Sequence, residues 1–338
     1  MDQKLSERKI EHIEMLLSDH AADRGRGYFD AVVLKHHALP ELDLSDVDPS
    51  TVFLGKPLKF PFIISSMTGG ADERLITINR NLACAAEAAG VALAVGSQRV
   101  MFSEPVARRS FELREFAPHT VICANVGAVQ LNYGFGVDEC RAAVEILDAD
   151  ALILHLNPLQ ESCQVGGDTD FRGLAEKIGS VVAALAVPVI VKEVGAGICD
   201  KDVEQLLANG VEYVDLAGAG GVSWSRVEEG RARGESRETP FDDWGIPTPS
   251  ALKMMRPYRD KVTLIASGGV RNGVDMAKAI VLGASLCGMA RPLLEPALES
   301  ATAARIVVER VKSELRKAMF LLGCSTIPEM HGREDLIV

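Results

Sequence analysis

The sequence predicts an α/β fold, a closed parallel (β/α)8 or TIM barrel, preceded by an N-terminal arm. From residue 60 onward short apolar runs alternate with helical patterns, and there are eight such runs, each followed by a helix. An open doubly wound sheet is the other arrangement open to alternating strands and helices, but eight repeats favour closure. A length of 338 residues suits one barrel with appendages. Residues 1–59 are assigned to the arm and the approach to the barrel. Residues 60–338 are assigned to the barrel, with a lid-like insertion at about 225–244.

The arm opens with an amphipathic stretch, Ser6 to Asp19. Ile10, Ile13, Leu16 and Leu17 recur there near helical spacing, and the stretch carries Arg8, Lys9 and His12. A basic face of this kind is usually just solvated. Residues 43–59 read as a loop-rich approach broken by Pro49, Gly55 and Pro57. The expected strands are Phe62–Met67, Ala92–Gly96, Val121–Val126, Ala151–Leu156, Pro188–Val194, Tyr213–Ala217, Thr263–Ser267 and Leu286–Ala290. The expected helices are Glu73–Ala89, Val106–Phe116, Asp138–Leu147, Phe171–Leu185, Asp200–Ala208, Pro249–Tyr258, Gly273–Leu282 and Ala301–Leu322. Residues 225–244, charged and glycine-bearing, are longer than ordinary loops and follow the sixth strand, on the face where barrels carry their sites.

Composition removes several classes. A net charge of -11 opposes binding to nucleic acid or an anionic membrane surface. No apolar run reaches the length of a membrane span, and the charged first residues do not resemble a signal peptide. Seven scattered cysteines without Cys-x-x-Cys spacing point to reduced thiols and a cytoplasmic protein.

The fourth strand ends most informatively. Strand alternation places His155 and Asn157 on one face, Pro158 stops the strand, and Gln160 and Glu161 follow at once. By itself such a terminus is an ordinary polar cap. A barrel, however, gathers all eight strand ends into one ring. That ring holds Ser65-Ser66-Met67-Thr68-Gly69-Gly70, Gly96-Ser97-Gln98-Arg99, Asn125-Val126-Gly127, His155-Leu156-Asn157, Lys192-Glu193, Ala217-Gly218-Ala219-Gly220-Gly221, Ser267-Gly268-Gly269-Val270-Arg271 and Gly288-Met289-Ala290-Arg291. Small and polar residues there are poor core material. The glycines after strand seven, with Ala290 and Arg291 after strand eight, stand where barrels often cradle a phosphate. Lys192 interrupts an apolar strand and would be costly to bury without an anionic partner. A flavin ring edge, its phosphate held at strands seven and eight, would be such a partner.

The set Arg8-Lys9-x-x-His12, Ser66-Met67-Thr68-Gly69-Gly70, Gly96-Ser97-Gln98-Arg99, Asn125, His155-Leu156-Asn157-Pro158-Leu159-Gln160-Glu161, Lys192-Glu193-Val194-Gly195 and Gly218-Ala219-Gly220-Gly221 resembles the type II isopentenyl-diphosphate isomerases. These are FMN-dependent barrels of isoprenoid metabolism. The resemblance runs from the arm to the eighth strand and implies a reversible 1,3-proton shift between isopentenyl and dimethylallyl diphosphate. It implies FMN held by Ser66, Met67, Thr68, Ser97, Asn125 and Lys192, with the phosphate at Gly268, Gly269, Arg271, Ala290 and Arg291. The substrate diphosphate is expected at Arg8, Lys9, His12, Ser97, Gln98, Arg99, His155 and Asn157. Gln160 is expected to face the reacting carbons as the catalytic residue, and Glu161 to bind Mg²⁺. NADPH is the implied reductant of FMN, and a homo-oligomer, tetramer or octamer, the implied assembly. Val222 departs from the threonine usual in the family, which leaves Ser223 as the neighbouring hydroxyl for the flavin phosphate.

Three other readings compete. An FMN-dependent 2-hydroxyacid oxidase or dehydrogenase shares the barrel and the lysine, but needs a histidine base after strand six, where this chain has Ala217-Gly218-Ala219-Gly220-Gly221-Val222. A nucleotide dehydrogenase with a catalytic thiol rests on Cys199 alone. A non-catalytic flavin-binding barrel leaves Gln160 and Glu161 without a purpose.

Overall fold

The computed structural model describes residues 5–25, 27–234 and 238–338. Residues 235–237, part of the expected lid-like insertion, lie outside the described residues. A short antiparallel hairpin, β1 (Thr51–Phe53) and β2 (Lys56–Leu58), precedes the barrel. The barrel strands are β3 (Phe62–Ile64), β4 (Ala92–Ala94), β5 (Ile122–Gly127), β6 (Ala151–Leu156), β7 (Val189–Glu193), β8 (Tyr213–Asp215), β9 (Thr263–Ala266) and β10 (Leu286–Met289). They pair in sequence order, all parallel, and β10 closes onto β3. The fold is therefore a (β/α)8 TIM barrel, with every expected strand in place.

Alternation divides each strand between two environments. Outward residues such as Phe62, Ile64, Leu93, Ile122 and Leu154 are buried beneath the surrounding helices. Inward residues Ile63, Ala92, Ala94, Cys123, Ile153, Ile190, Ile265 and Leu286 form a separate apolar cluster within the barrel. Phe53 and Leu58 of the hairpin belong to that inner cluster, so the hairpin closes the floor. Residues 43–59 are thus not simply loop. Leu54 and Gly55 both have positive φ, 50° and 77°, as a two-residue hairpin turn requires. Pro57 is tolerated because β2 is an edge strand.

Three helical expectations differ from the structure. Residues 106–116 do not form a regular helix; a short helix Arg99–Ser103 is followed by a 3₁₀ turn, Pro105–Ser110. The Ser110 hydroxyl accepts from Gly70 N–H (2.9 Å) and its carbonyl from Asn79 Nδ2 (2.9 Å), so this carbonyl is committed to the barrel mouth rather than to a continuing helix. An additional helix, Arg291–Glu299, precedes Ala301–Leu321, and Ser300 separates the two by capping the second. Within the lid-like insertion, Trp224–Arg233 is an α-helix with Ser225, Val227, Glu228 and Gly230 buried. It packs on the arm helix, Leu5–Ser18, and on a short helix, Pro158–Cys163.

The arm is built into the barrel of its own chain. Phe29, Val32 and Val47 share the main core, and Leu34 bridges Ile337 near the C-terminus. Among the described residues, no helix is long and apolar enough to cross a membrane.

Gly273 marks a close approach of two helices: a Cβ there would lie 2.2 Å from Leu315 N and 2.4 Å from Val311 O. Backbone atoms cannot swing aside. Gly273→Ala is expected to destabilise the fold by about 1–3 kcal/mol in urea unfolding; unchanged stability would show that the helix Ala301–Leu321 can shift freely.

Candidate active site

The inward positions one step above the apolar layer are Ser65, Asn125, His155, Lys192, Asp215, Ser267 and Gly288. The parity that fills the floor with aliphatic side chains carries these groups to the mouth. Register does the rest, since His155 pairs with Lys192 and Lys192 with Asp215 across neighbouring strands. Together with the arm, all of these but Asp215 line a cavity of about 260 Å³.

Asn125 organises one wall. Its Nδ2 donates to Ser66 Oγ (2.7 Å) and to Val95 O (3.1 Å), so its Oδ1 is the atom facing His155 Nδ1 at 2.8 Å. That contact places the ring proton on Nδ1 and leaves Nε2 with a lone pair. Burial, then the nearby Lys192 and Lys9 charges, push the His155 pKa down to about 3, so the ring is neutral. Gln98 stands behind this wall. Fully buried, it accepts from Asn125 N–H (2.9 Å) and donates to Ala143 O (2.9 Å). It does not line the cavity, so direct substrate contact, expected from the sequence, is replaced by support of Asn125.

Lys192 is buried and spends its three donors on Glu193 O (2.8 Å), Asp215 Oδ2 (3.2 Å) and Ser267 Oγ (3.3 Å). The anionic partner that the sequence seemed to lack is therefore Asp215, two residues into β8. Beyond Lys192, Glu193 Oε2 accepts the backbone N–H groups of Val194, Gly195, Ala196 and Gly197, which pins the loop after β7.

The segment after β6 makes a second wall. Asn157 Nδ2 donates to Glu161 Oε1 at 2.9 Å and to Gln160 Oε1 at 3.3 Å. The other oxygen of Glu161 accepts from Asp168 N–H (2.8 Å) and Gln164 Nε2 (3.3 Å). Gln160 Nε2 donates to Glu228 Oε1 at 2.8 Å. Arg99 is held by Asp168 at 2.7 Å, and Gln130 donates to the same oxygen at 2.9 Å.

The arm and the helix Trp224–Arg233 roof the cavity. Glu228 is fully buried and meets His12 Nε2 (3.0 Å), Gln160 and Arg231 Nε (3.0 Å). Burial alone would raise its pKa, but the hydrogen bonds and charges of His12, Gln160 and Arg231 prevail and bring it to about 2. His12 also packs edge-on against Trp224, with ring centroids 5.3 Å apart. Lys9 donates to Ser97 O at 2.6 Å, and burial together with neighbouring Arg8 lowers its pKa to about 7. Arg8 faces both Glu228 and Glu161, and its buried Nε has no partner among the described residues.

At strands β9 and β10, Gly268 and Gly269 have φ of 85° and 76°, and a Cβ on Gly268 would strike Gly218 O. Arg271 is anchored to Asp23 Oδ1 (2.7 Å) and Gly220 O (2.8 Å), and Arg291 to Leu16 O (3.0 Å). The helix Arg291–Glu299 starts at Ala290 without a side-chain cap. Ser223 is elsewhere: it is buried outside the cavity, bonded to Ser225 Oγ at 3.0 Å, while Val222 lines the wall. A role for Ser223 as substitute hydroxyl therefore has no geometric support. Cys199, the candidate thiol, also lies outside this cavity, and burial raises its pKa, opposite to what a thiolate nucleophile needs.

Most sequence-expected groups thus converge, Ser65 and Ser267 of the strand-end ring among them, and Asp215, Asp168, Gln130 and Glu228 join them unexpected. Asp215 gives the same signal as Lys192, a charge inside an apolar strand. Glu228 gives none, because in Arg226-Val227-Glu228-Glu229 it reads as one more solvated charge.

The family model for FMN-dependent dehydrogenases matches residues 165–336. An isopentenyl-diphosphate delta-isomerase of Hydrogenovibrio crunogenus is 50% identical, the alignment covering 100% of this chain and 99% of the relative. The enzyme of that name from Paracoccus zeaxanthinifaciens is 49% identical, over 99% of this chain and 98% of its own. Among solved structures, mandelate oxidase with benzoyl-formic acid superposes with a TM-score of 0.64 at 17% identity, covering 98% of this chain and 93% of that one. At that identity the likeness speaks for the fold.

The lowered pKa of Glu228 has a consequence for stability. Its charged form is favoured by folding, so the contribution is complete above its unfolded value of 4.5 and is lost as pH falls toward about 2. Glu228→Gln is expected to lose on the order of 3 kcal/mol at pH 7. In urea unfolding the gap to wild type should narrow as pH falls below about 4.5. A gap that widens in acid would contradict the assignment.

Proposed function

The chain belongs to the isopentenyl-diphosphate delta-isomerase family, and from that premise we propose that its barrel mouth holds reduced FMN, Mg²⁺ and isopentenyl diphosphate together and shifts a proton reversibly to give dimethylallyl diphosphate. The chain is an isomerase, and its FMN-dependent barrel is the scaffold. The observation that carries the reading is the convergence of Arg8, Lys9, His12, Asn157, Gln160 and Glu161 on the same cavity as Asn125 and Lys192.

The residues present fit FMN. Buried Ser65 Oγ and Thr68 Oγ1 lack partners among the described residues and suit a polar ring edge. Ser66, Met67, Ser97 and Asn125 line the same side. Gly268, Gly269, Arg271, Ala290 and Arg291 offer bare backbone, two cations and an uncapped helix start for a phosphate. Reduced FMN, when bound, supplies an electron-rich ring that can give a proton to one carbon and take one from another without net redox change. NADPH is the proposed reductant.

Mg²⁺ fits a single carboxylate. Among the described residues no cluster of three or more His, Cys, Asp or Glu side chains could hold a metal. Mg²⁺ keeps most of its waters and commonly takes one carboxylate plus substrate phosphate. Glu161, held by Asn157, Gln164 and the Asp168 N–H, is the proposed ligand.

The roles of the remaining residues follow from their donors. Arg8, Lys9, His12, Arg99 and Asn157 offer donors to the diphosphate, and His155 joins them once the anion's charge brings a second proton to its Nε2; Lys9, with a pKa of about 7, regains full charge beside that anion. Gln160 is an amide and neither strong acid nor base. Its Nε2 is directed by Glu228, so it orients the alkene and can relay a proton between the reacting carbon and that carboxylate. Trp224 and the arm exclude water, which would otherwise capture a carbocation-like species.

The test is incubation of anaerobic, NADPH-reduced holoenzyme with Mg²⁺ and isopentenyl diphosphate in D₂O. Dimethylallyl diphosphate carrying deuterium is expected. Absence of that product, with oxidation of a 2-hydroxy acid in its place, would transfer the assignment to the oxidases.

Arg8→Ala is expected to raise KM roughly 10- to 100-fold, the cost of a charged hydrogen-bond partner, without altering the flavin spectrum. Loss of FMN at unchanged KM would move Arg8 to the cofactor. Glu161→Gln is expected to retain FMN while losing most activity and its dependence on Mg²⁺; an unaltered metal titration would place the ion elsewhere.

A further inference from the structure

We propose that Asp215 is a positioning residue that acts through Lys192, holding the ammonium in place and cancelling its charge, so that the wall against the cofactor ring is electrically neutral. This rests on the reading that FMN occupies the cavity.

The geometry is specific. Lys192 on β7 and Asp215 on β8 are register partners, both buried, with Nζ and Oδ2 3.2 Å apart. Ser267, at the end of β9, ties them together: its hydroxyl donates to Asp215 Oδ1 at 2.7 Å, and its lone pair faces Lys192 Nζ at 3.3 Å. Asp215 Oδ1 also accepts from Ala217 N–H at 3.2 Å, which fixes the carboxylate to the strand end. Three consecutive strands thus each contribute one member, and both Lys192 and Ser267 line the cavity.

All three ammonium donors are engaged within the chain. Lys192 therefore meets a ring mainly through its charge, or by exchanging the longest of those bonds, the one to Ser267. A lone buried ammonium would favour the anionic reduced ring over the neutral oxidised one and raise the reduction potential. An adjacent carboxylate opposes that bias.

The experiment is measurement of the two-electron midpoint potential of bound FMN, by dye equilibration at fixed pH, in wild type, Asp215→Asn, Lys192→Met and the double variant. Asp215→Asn is expected to shift to more positive potential and Lys192→Met to more negative. The double variant should return close to wild type, since the wall is neutral in both. Removing a buried pair together is better tolerated than stranding one charge, so the double variant serves even where a single variant fails to fold. A double variant well below wild type, or a folded Asp215→Asn at unchanged potential, overturns the proposal. A purely structural Asp215 would alter FMN content or unfolding temperature and leave the potential of the retained flavin unmoved. Wild type purified without any affinity for FMN would instead sink the functional reading on which this rests.

Discussion

Inside a closed parallel barrel each strand may present only every second residue, and this parity governs the molecule. Ile63, Ile153, Ile190 and Ile265 fill the floor, and two residues further along the same strands stand Ser65, His155, Lys192 and Ser267. The change from aliphatic to polar within one step is possible because the floor is sealed from below by Phe53 and Leu58. Without that plug the inner apolar layer would face water, and the polar layer above it would lose its low-dielectric base. The hairpin far from the chemistry and the cavity at the mouth are consequences of one alternation.

Above the polar layer, the arm and the helix Trp224–Arg233 depend on a single buried carboxylate. Glu228 faces His12 from the arm, Gln160 from the segment after β6, and Arg231 from its own helix. Glu11 to Arg231 and Asp19 to Arg226 add ion pairs along the same seam. Because Gln160 and His12 share one acceptor oxygen on Glu228, a movement of the arm is felt directly by the amide that faces the cavity. The roof and the wall that carries Gln160 are mechanically one unit.

The barrel was legible because eight apolar runs with helices between them admit few other folds, and the strand ends could then be ordered around a ring. His155 followed from strand alternation, Asn125 from its place at a strand end, and Lys192 from the charge it sets in an apolar run. The hairpin was not legible, since Leu54-Gly55 and Pro57 resemble loop punctuation until the edge position of β2 is known. Gln98 was adjacent in sequence to Ser97 and Arg99 but points to the opposite side of the wall, a turn that sequence spacing does not encode. Glu228 was hidden by composition: burial of one charge in a run of charges depends on what packs over it, and only the arm decides that.

The cations of the mouth are largely committed to partners in the chain itself: Arg99 to Asp168, Lys192 to Asp215, Arg231 to Glu228, Lys9 to the Ser97 carbonyl. An anionic ligand therefore exchanges one acceptor for another, and its net gain is the difference between two charged contacts rather than the whole of one. The pairs differ in how readily they can exchange. Lys192 and Asp215 are buried and join neighbouring strands, so their separation would leave two isolated charges in the barrel. Arg99 is about a third exposed, and Asp168 has Gln130 as a remaining donor, so that pair can open at small cost. A rigid buried pair within the barrel and exchangeable charge at the rim arise from the same residue types, distinguished by burial and by what remains bonded when the partner leaves.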